Sequence, residues 1–288
     1  MKKTVIVLLF AAAILPFVSC SKDSASQPML IVKFKFDPSQ ARLNNLGQPS
    51  TVAAGNAAQS PIFNTIGAHY MELAPNANTQ LGSGTIIYHG AETTVGGANA
   101  IDFTHEKIVS QDETFLKIPL SQVTAGTYQW MRVSLAYQNY QINVRSAGVN
   151  YPGTLASFVG FNTYLTTFNI GNNMFPVNGN KLQGYWAFGL NDQPYSASGQ
   201  AAAGATTVPN PIASTSPVQS GSCIVTGQFP TNLVINGNET QDVVITLSLS
   251  TNNSFEWHDV NPDGKYEPSA NENVVDMGLR GLIPTYIK

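Results

Sequence analysis

The chain has 288 residues, of which only 11% are charged, against about 25% in ordinary soluble domains. A formal net charge of −3 and the lack of any basic patch or arm argue against a nucleic-acid partner. Polar character comes from Asn, Thr, Ser, Gln and Gly, and residues 146–180 and 193–238 contain no Asp, Glu, Lys or Arg.

Met1-Lys2-Lys3 is a short basic start, and Thr4 to Val18 is an apolar run without a charge. It ends in Phe17-Val18-Ser19-Cys20, followed at once by polar Ser21-Lys22-Asp23-Ser24. That is the layout of a secretory leader, and it is too short for a comfortable membrane span. Ser19 directly before Cys20 resembles the lipobox of bacterial lipoproteins, with Phe17 where Leu is usual. The resemblance implies that residues 1–19 leave as a signal peptide and that Cys20 carries lipid. Residues 20–28 are then a polar tether and 29–288 the folded part, expected as a single domain. Lipid makes an anchored protein, not a spanning one, expected at the bacterial outer membrane on its cell-surface or periplasmic face. With Cys20 lipidated, Cys223 has no intrachain partner. In Ser222-Cys223-Ile224-Val225 it reads as a buried small hydrophobe.

Period-two patterns dominate the rest. Met29–Phe36 puts Val32, Phe34 and Phe36 on one face and Lys33 and Lys35 on the other. His69–Leu73, Thr85–Tyr88 and Thr114–Leu120 read as strands, the last leading into a Thr124-Ala125-Gly126 turn. Tyr128–Val144 is the longest strand signal, with a bulge expected near Gln138-Asn139. Phe158–Ile170 and Gly184–Leu190 follow. The Pro/Ala/Ser/Thr-rich stretch 194–220 reads as a long loop. Cys223–Phe229, Asn232–Asn236 and Gln241–Ser250 close the set. About ten short strands between Gly/Asn/Pro turns predict an all-β fold, an antiparallel β-sandwich of immunoglobulin or jelly-roll type.

One chemical motif stands out. Asp259-Val260-Asn261-Pro262-Asp263-Gly264-Lys265-Tyr266-Glu267 contains D-x-N-x-D-G, the first half of an EF-hand-type calcium loop. Side-chain oxygens of Asp259, Asn261 and Asp263 alternate toward one point, Gly264 permits the sharp turn, and the Lys265 carbonyl adds an oxygen. Ala270 stands where an EF-hand has its bidentate Glu, and Pro268 argues against an exiting helix. Glu272 or Asp276 is then the carboxylate that closes a calcium loop spanning 259–276. The bland alternative is an Asx/Gly-rich turn. The expected ion is structural calcium.

The histidines His69, His89, His105 and His258 show no zinc spacing, although His89 and His105 are candidates to meet across strands. No nucleophile elbow, phosphate loop or H-E-x-x-H motif occurs, so an enzyme is not expected. Paired carboxylates among Glu72, Glu92, Asp102, Glu106, Asp112 and Glu113 keep a carbohydrate-active enzyme as an alternative. Trp130, Trp186 and Trp257 with several tyrosines are candidate sugar-stacking platforms. Core packing is the favoured reading for Trp130 and Trp186.

The segments LIVKFKFD at 30–37, AGTYQWMRVSLAY at 125–137, SFEWHDVNPDGKYEP at 254–268 and VVDMGLRGLIP at 274–284 resemble Bacteroidota envelope lipoproteins. The F-x-F opening strand, the A-G-T-Y strand entry and GYWAF at 184–188 also resemble methanobactin-partner-like (MbnP-like) periplasmic proteins, a β-sandwich family that includes copper binders. That second resemblance implies a sandwich and copper or other metal binding, with no ligand residues to carry over. The expectation is a lipid-anchored, calcium-stabilised envelope module that binds a glycan or an envelope protein. The alternative is a periplasmic protein holding copper through His and Met, with His69, His89 and His105 as candidates.

Overall fold

The computed structural model describes residues 27–201 and 215–288. Cys20, the leader and residues 202–214 of the expected loop lie outside them. The described chain is nearly all strand, and it forms an all-β sandwich with further small sheets around it. None of its helices is long and apolar enough to cross a membrane.

The first sheet follows from the alternation read at the start of the folded part. Strand β1 (Met29–Asp37) buries Leu30, Val32, Phe34 and Phe36. It lies in the order β19-β16-β1-β8, with β8 at Thr114–Pro119, β16 at Val243–Ser250 and β19 at Leu282–Ile287. β1 runs parallel to β16, while its pairing with β8 and that of β16 with β19 are antiparallel.

The second sheet is built on β9 (Gly126–Ser146), which is 21 residues long. It pairs with β3 (Ile62–Ala74), β10 (Val149–Phe158) and β15 (Cys223–Ile235). Outward from these lie β4 (Thr85–His89), β7 (Ile108–Val109), β13 (Tyr185–Leu190) and β14 (Ser196–Gln200). Phe34, Ile245 and Leu247 of the first sheet meet Met71, Met131, Val133 and Val225 of the second in the main core. Each such side chain removed from water contributes about 1.5–3 kcal/mol, so this interface is what holds the sandwich together.

The far half of β9 is covered on both faces. On one lie β5 (Glu92–Thr93), β6 (Ala100–Asp102), β11 (Asn162–Ile170) and β12 (Asn173–Leu182), packing Leu165 and Phe168 of β11 against Tyr137 of β9 and Phe158 of β10. On the other lie β2 (Asn56–Gln59), β17 (Phe255–His258) and β18 (Val274–Met277), packing Trp257 and Met277 against Tyr140 and Ile142. Burial on both sides explains why β9 carries apolar residues at odd and even positions alike. The bulge expected at Gln138-Asn139 is absent from the pairing with β10, which runs unbroken from Tyr137 to Ser146. The register slips instead against β3, where Ala136 on β9 and Asn64 and His69 on β3 are left over.

Three other expectations shift. Phe158–Ile170 is two strands, β10 and β11, separated at residues 159–161. The expected loop 194–220 contains β14, paired to β13. The strands expected at 223–229 and 232–236 are one strand, β15, with a register shift between Gln228 and Leu233. Trp257 is the fully buried tryptophan, whereas Trp130 and Trp186 are half-buried. Cys223 is buried in the main core, as its neighbours implied.

Candidate functional site

The segment 259–273 connects β17 to β18, which pair antiparallel as a hairpin with Phe255 opposite Met277. Gly264 takes a positive φ of 70°, the left-handed conformation that the sharp turn of a D-x-N-x-D-G loop requires. Its N–H donates to Asp259 Oδ2 at 3.1 Å, and the Lys265 N–H donates to Asp263 Oδ1 at 2.9 Å. The Asn261 amide donates to Glu267 Oε2 at 2.7 Å. The Glu267 N–H donates to Glu272 Oε2 at 2.6 Å, which brings Glu272 back onto the loop. Glu272 is 3% exposed, and its Oε1 and the Oδ1 of Asp259 are buried without a hydrogen-bond partner. A hard cation would satisfy these two acceptors, but Asp259, Asp263 and Glu272 do not bring three ligand atoms within 4.8 Å of one another.

Asp276 goes elsewhere. It sits on β18 opposite Glu256 and is locked in close contact with Arg280. Burial pushes its carboxyl up to about 6, against the pull of Arg280. Of the two return carboxylates, Glu272 belongs to the loop and Asp276 to the ionic cluster of Arg42, Glu256 and Arg280 beneath it.

The same loop forms one wall of a groove of about 180 Å³. Gly264, Lys265 and Tyr266 come from the loop, and Trp257 from the strand before it. Gln59, Asn143, Arg145 and Asn150 line the rest. Arg145 ties wall to floor twice: its N–H donates to the Tyr266 carbonyl at 2.7 Å, and its Nε lies 2.9 Å from Glu267 Oε1. The indole Nε1 of Trp257 is buried without a partner.

A second cluster lies at the opposite region of the fold, where β3, β4 and β5 meet. His69 Nε2 stands 3.0 Å and His89 Nε2 3.7 Å from Glu92 Oε1. The two imidazoles meet at 62° with centroids 4.7 Å apart. His69 is wholly buried, packed against Phe161, and neither of its ring nitrogens has a hydrogen-bond partner. Among the described residues this is the one group of three His, Cys, Asp or Glu ligand atoms lying within 4.8 Å of one another. His105 is not part of it, because it bonds Asp102 at 2.8 Å. The expected approach of His89 to His105 is therefore replaced by that of His89 to His69. No spacing rule points to Glu92, because its partners arrive from two other strands. The only local signal is His89-x-x-Glu92 after a strand end.

Several carboxylates weighed for catalysis have structural work instead. Glu72 accepts from Tyr70 OH at 2.8 Å and from the N–H groups of Gly82 and Gly84, and pairs with Arg132 at 3.3 Å. Glu113 accepts the Ser110 N–H at 2.8 Å. Glu106 differs, since both its carboxyl oxygens are buried without a partner and burial pushes its pKa up to about 8.

No protein family, curated protein or solved structure matches the chain. Function has to be read from the chemistry of these two sites.

Proposed function

We propose that the protein is a lipid-anchored module of the bacterial outer membrane, held by lipid on Cys20, that binds a neutral glycan in the groove beside loop 259–272. Calcium held by Asp259, Asn261, Asp263, the Lys265 carbonyl and Glu272 fixes the wall of that groove. The observation that carries this reading is that Gly264, Lys265 and Tyr266 belong both to the loop and to the groove. A ligand site built on such a loop stays half-formed until the loop is rigid, so calcium and ligand binding are coupled.

The lining holds two cations, Arg145 and Lys265, of which Arg145 is paired with Glu267, and its other side chains are uncharged. Carboxamides of Asn143 and Asn150 both donate and accept, which matches hydroxyl groups, while that of Gln59 is held at both ends by the Asn143 backbone. Half-buried Tyr266 supplies ring surface beside them, backed by the buried ring of Trp257. The test is a calorimetric titration of neutral oligosaccharides into the purified protein, with calcium and after chelation. Binding that needs calcium and falls in Asn150→Ala, with the melting temperature unchanged, is the expected result. Equal binding with and without calcium would sink the coupling, and no binding to any neutral sugar would sink the glycan.

A further inference from the structure

We propose that His69, His89 and Glu92 form a second, independent metal centre, for a transition-metal dication of the zinc class with one coordination position left open. The donors come from three strands whose local structure aims them at one point. His69 lies where the β3 register slips against β9, the kind of irregularity that turns a side chain out of the regular alternation. His89 ends β4, opposite Tyr70. Glu92 opens β5 three residues later. Gly90 between them lies close against His69, and a Cβ there would stand 3.3 Å from His69 Cδ2 and from the His69 carbonyl oxygen, a tight contact.

Pairing among the three side chains leaves donor atoms of the cluster unused. His89 Nδ1 lies 3.1 Å from the Gly90 carbonyl, which only accepts, so Nδ1 carries the proton. His89 Nε2 points toward Glu92 Oε1 at 3.7 Å, beyond hydrogen-bond reach. His69 Nε2 lies 3.0 Å from the same oxygen, at ion-pair distance, and its buried Nδ1 is unpartnered. Two imidazole nitrogens and one carboxylate oxygen converge within 4.8 Å of one another, as three ligands of one ion would. Zinc held by N and O at about 2.0–2.2 Å in a tetrahedron separates its donors by roughly 3.4 Å, and the atoms here need little movement to reach that.

The surroundings fit a held site. Asn99 Nδ2 donates to Glu92 Oε2 at 2.6 Å, which leaves Oε1 for the metal, and Asn162 Nδ2 in turn donates to the Asn99 carbonyl at 2.9 Å. The Gly90 carbonyl fixes the His89 tautomer in the way outer partners orient metal-bound imidazoles. Access is one-sided: the His69 side chain is wholly buried, while those of His89 and Glu92 are 38% and 22% exposed. The open position therefore faces solvent, where water or a small ligand completes the shell. A mixed imidazole and carboxylate set takes Zn²⁺ and, by the usual order of affinities, Cu²⁺ still more tightly.

The test uses the purified protein stripped with a chelator and titrated with Zn²⁺ alone, then with Cu²⁺, with Co²⁺ as a spectroscopic stand-in. One equivalent of zinc is expected, displaced by copper, with cobalt giving the absorption of a four-coordinate ion. The partly exposed ligands make the safe variants: His89→Asn and Glu92→Gln are each expected to weaken zinc by about tenfold or more. Asp263→Ala should leave zinc binding intact while removing calcium, so this centre and the groove reading stand or fall separately. Zinc that does not bind, or binds unchanged in both folded variants, overturns the proposal.

Discussion

Glu267 and Glu272 are joined end to end: the backbone N–H of the first donates to the carboxylate of the second at 2.6 Å, and the second oxygen of Glu272 is buried and unpartnered. Glu272→Gln keeps an acceptor for the Glu267 N–H and removes only the charge. Without calcium it should therefore melt close to the parent protein. With calcium about 50-fold above its dissociation constant, the parent gains about 2 kcal/mol, a rise of roughly 4–8 °C, and the variant gains less. Thermal melts with and without the ion check this, and an equal rise in both proteins would place calcium elsewhere.

Arg42 and Glu256 form a buried ion pair at 2.6 Å, with side chains 6% and 5% exposed. Burial by itself would raise the Glu256 carboxyl, but the Asn56 amide, the Ala53 N–H and Arg42 overcome it and hold the group below the usual carboxylate range. Removing one partner leaves the other charge buried and unpaired. Arg42→Met is expected to cost about 3–5 kcal/mol in urea unfolding. The pair of Lys35 with Asp37 makes the control, since the Lys35 side chain is 48% exposed and Lys35→Ala should cost under about 1 kcal/mol.

Glu106 should make stability depend on pH in the direction opposite to most carboxylates. Its pKa moves from 4.5 to about 8 because burial disfavours the charged form. Between those values the native state keeps the proton and the unfolded chain does not. Stability therefore falls as pH rises through this window, by at most about 1.4 kcal/mol per pH unit. Glu106→Gln, uncharged throughout, should flatten that slope in urea midpoints measured near pH 5 and near pH 8. A variant with the parent's slope would show that the carboxyl is ionised in the folded protein.

Cys223 should be inert. It is 7% exposed in the main core, and burial pushes its thiol up to about 12. A thiol reagent at neutral pH is expected to modify it only after denaturant is added, because the thiolate is the reactive form. Labelling of Cys223 in the native protein would mean that the sandwich opens locally around β15.

Strands with one face in the core were legible in the sequence, because alternation records a single buried face. β1 and β16 show it, with Val32, Phe34, Ile245 and Leu247 all buried. The break in alternation of β9 near Gln138-Asn139 matches register shifts against β3 on either side of it, at Ala136 and opposite Asn64, while the pairing with β10 stays regular. Short strands such as β5 and β6 carry too few residues to show any period. The loop 259–272 was legible because its oxygens are local in sequence, and its Gly264 has the expected positive φ. Whether Glu272 or Asp276 returns to the loop was not legible, because it depends on where Arg280 sits. The cluster of His69, His89 and Glu92 was hidden for the same reason, as it forms only when β3, β4 and β5 are brought together.

Calcium is the claim on which the functional account rests, and it is measured directly by elemental mass spectrometry of the purified protein after equilibration with calcium. The account predicts about one calcium per chain, removed by a chelator and absent from Asp263→Ala. A protein that holds no calcium, or holds it unchanged in Asp263→Ala and Glu272→Gln, would contradict the account and reduce the segment from Asp259 to Glu272 to a hydrogen-bonded turn.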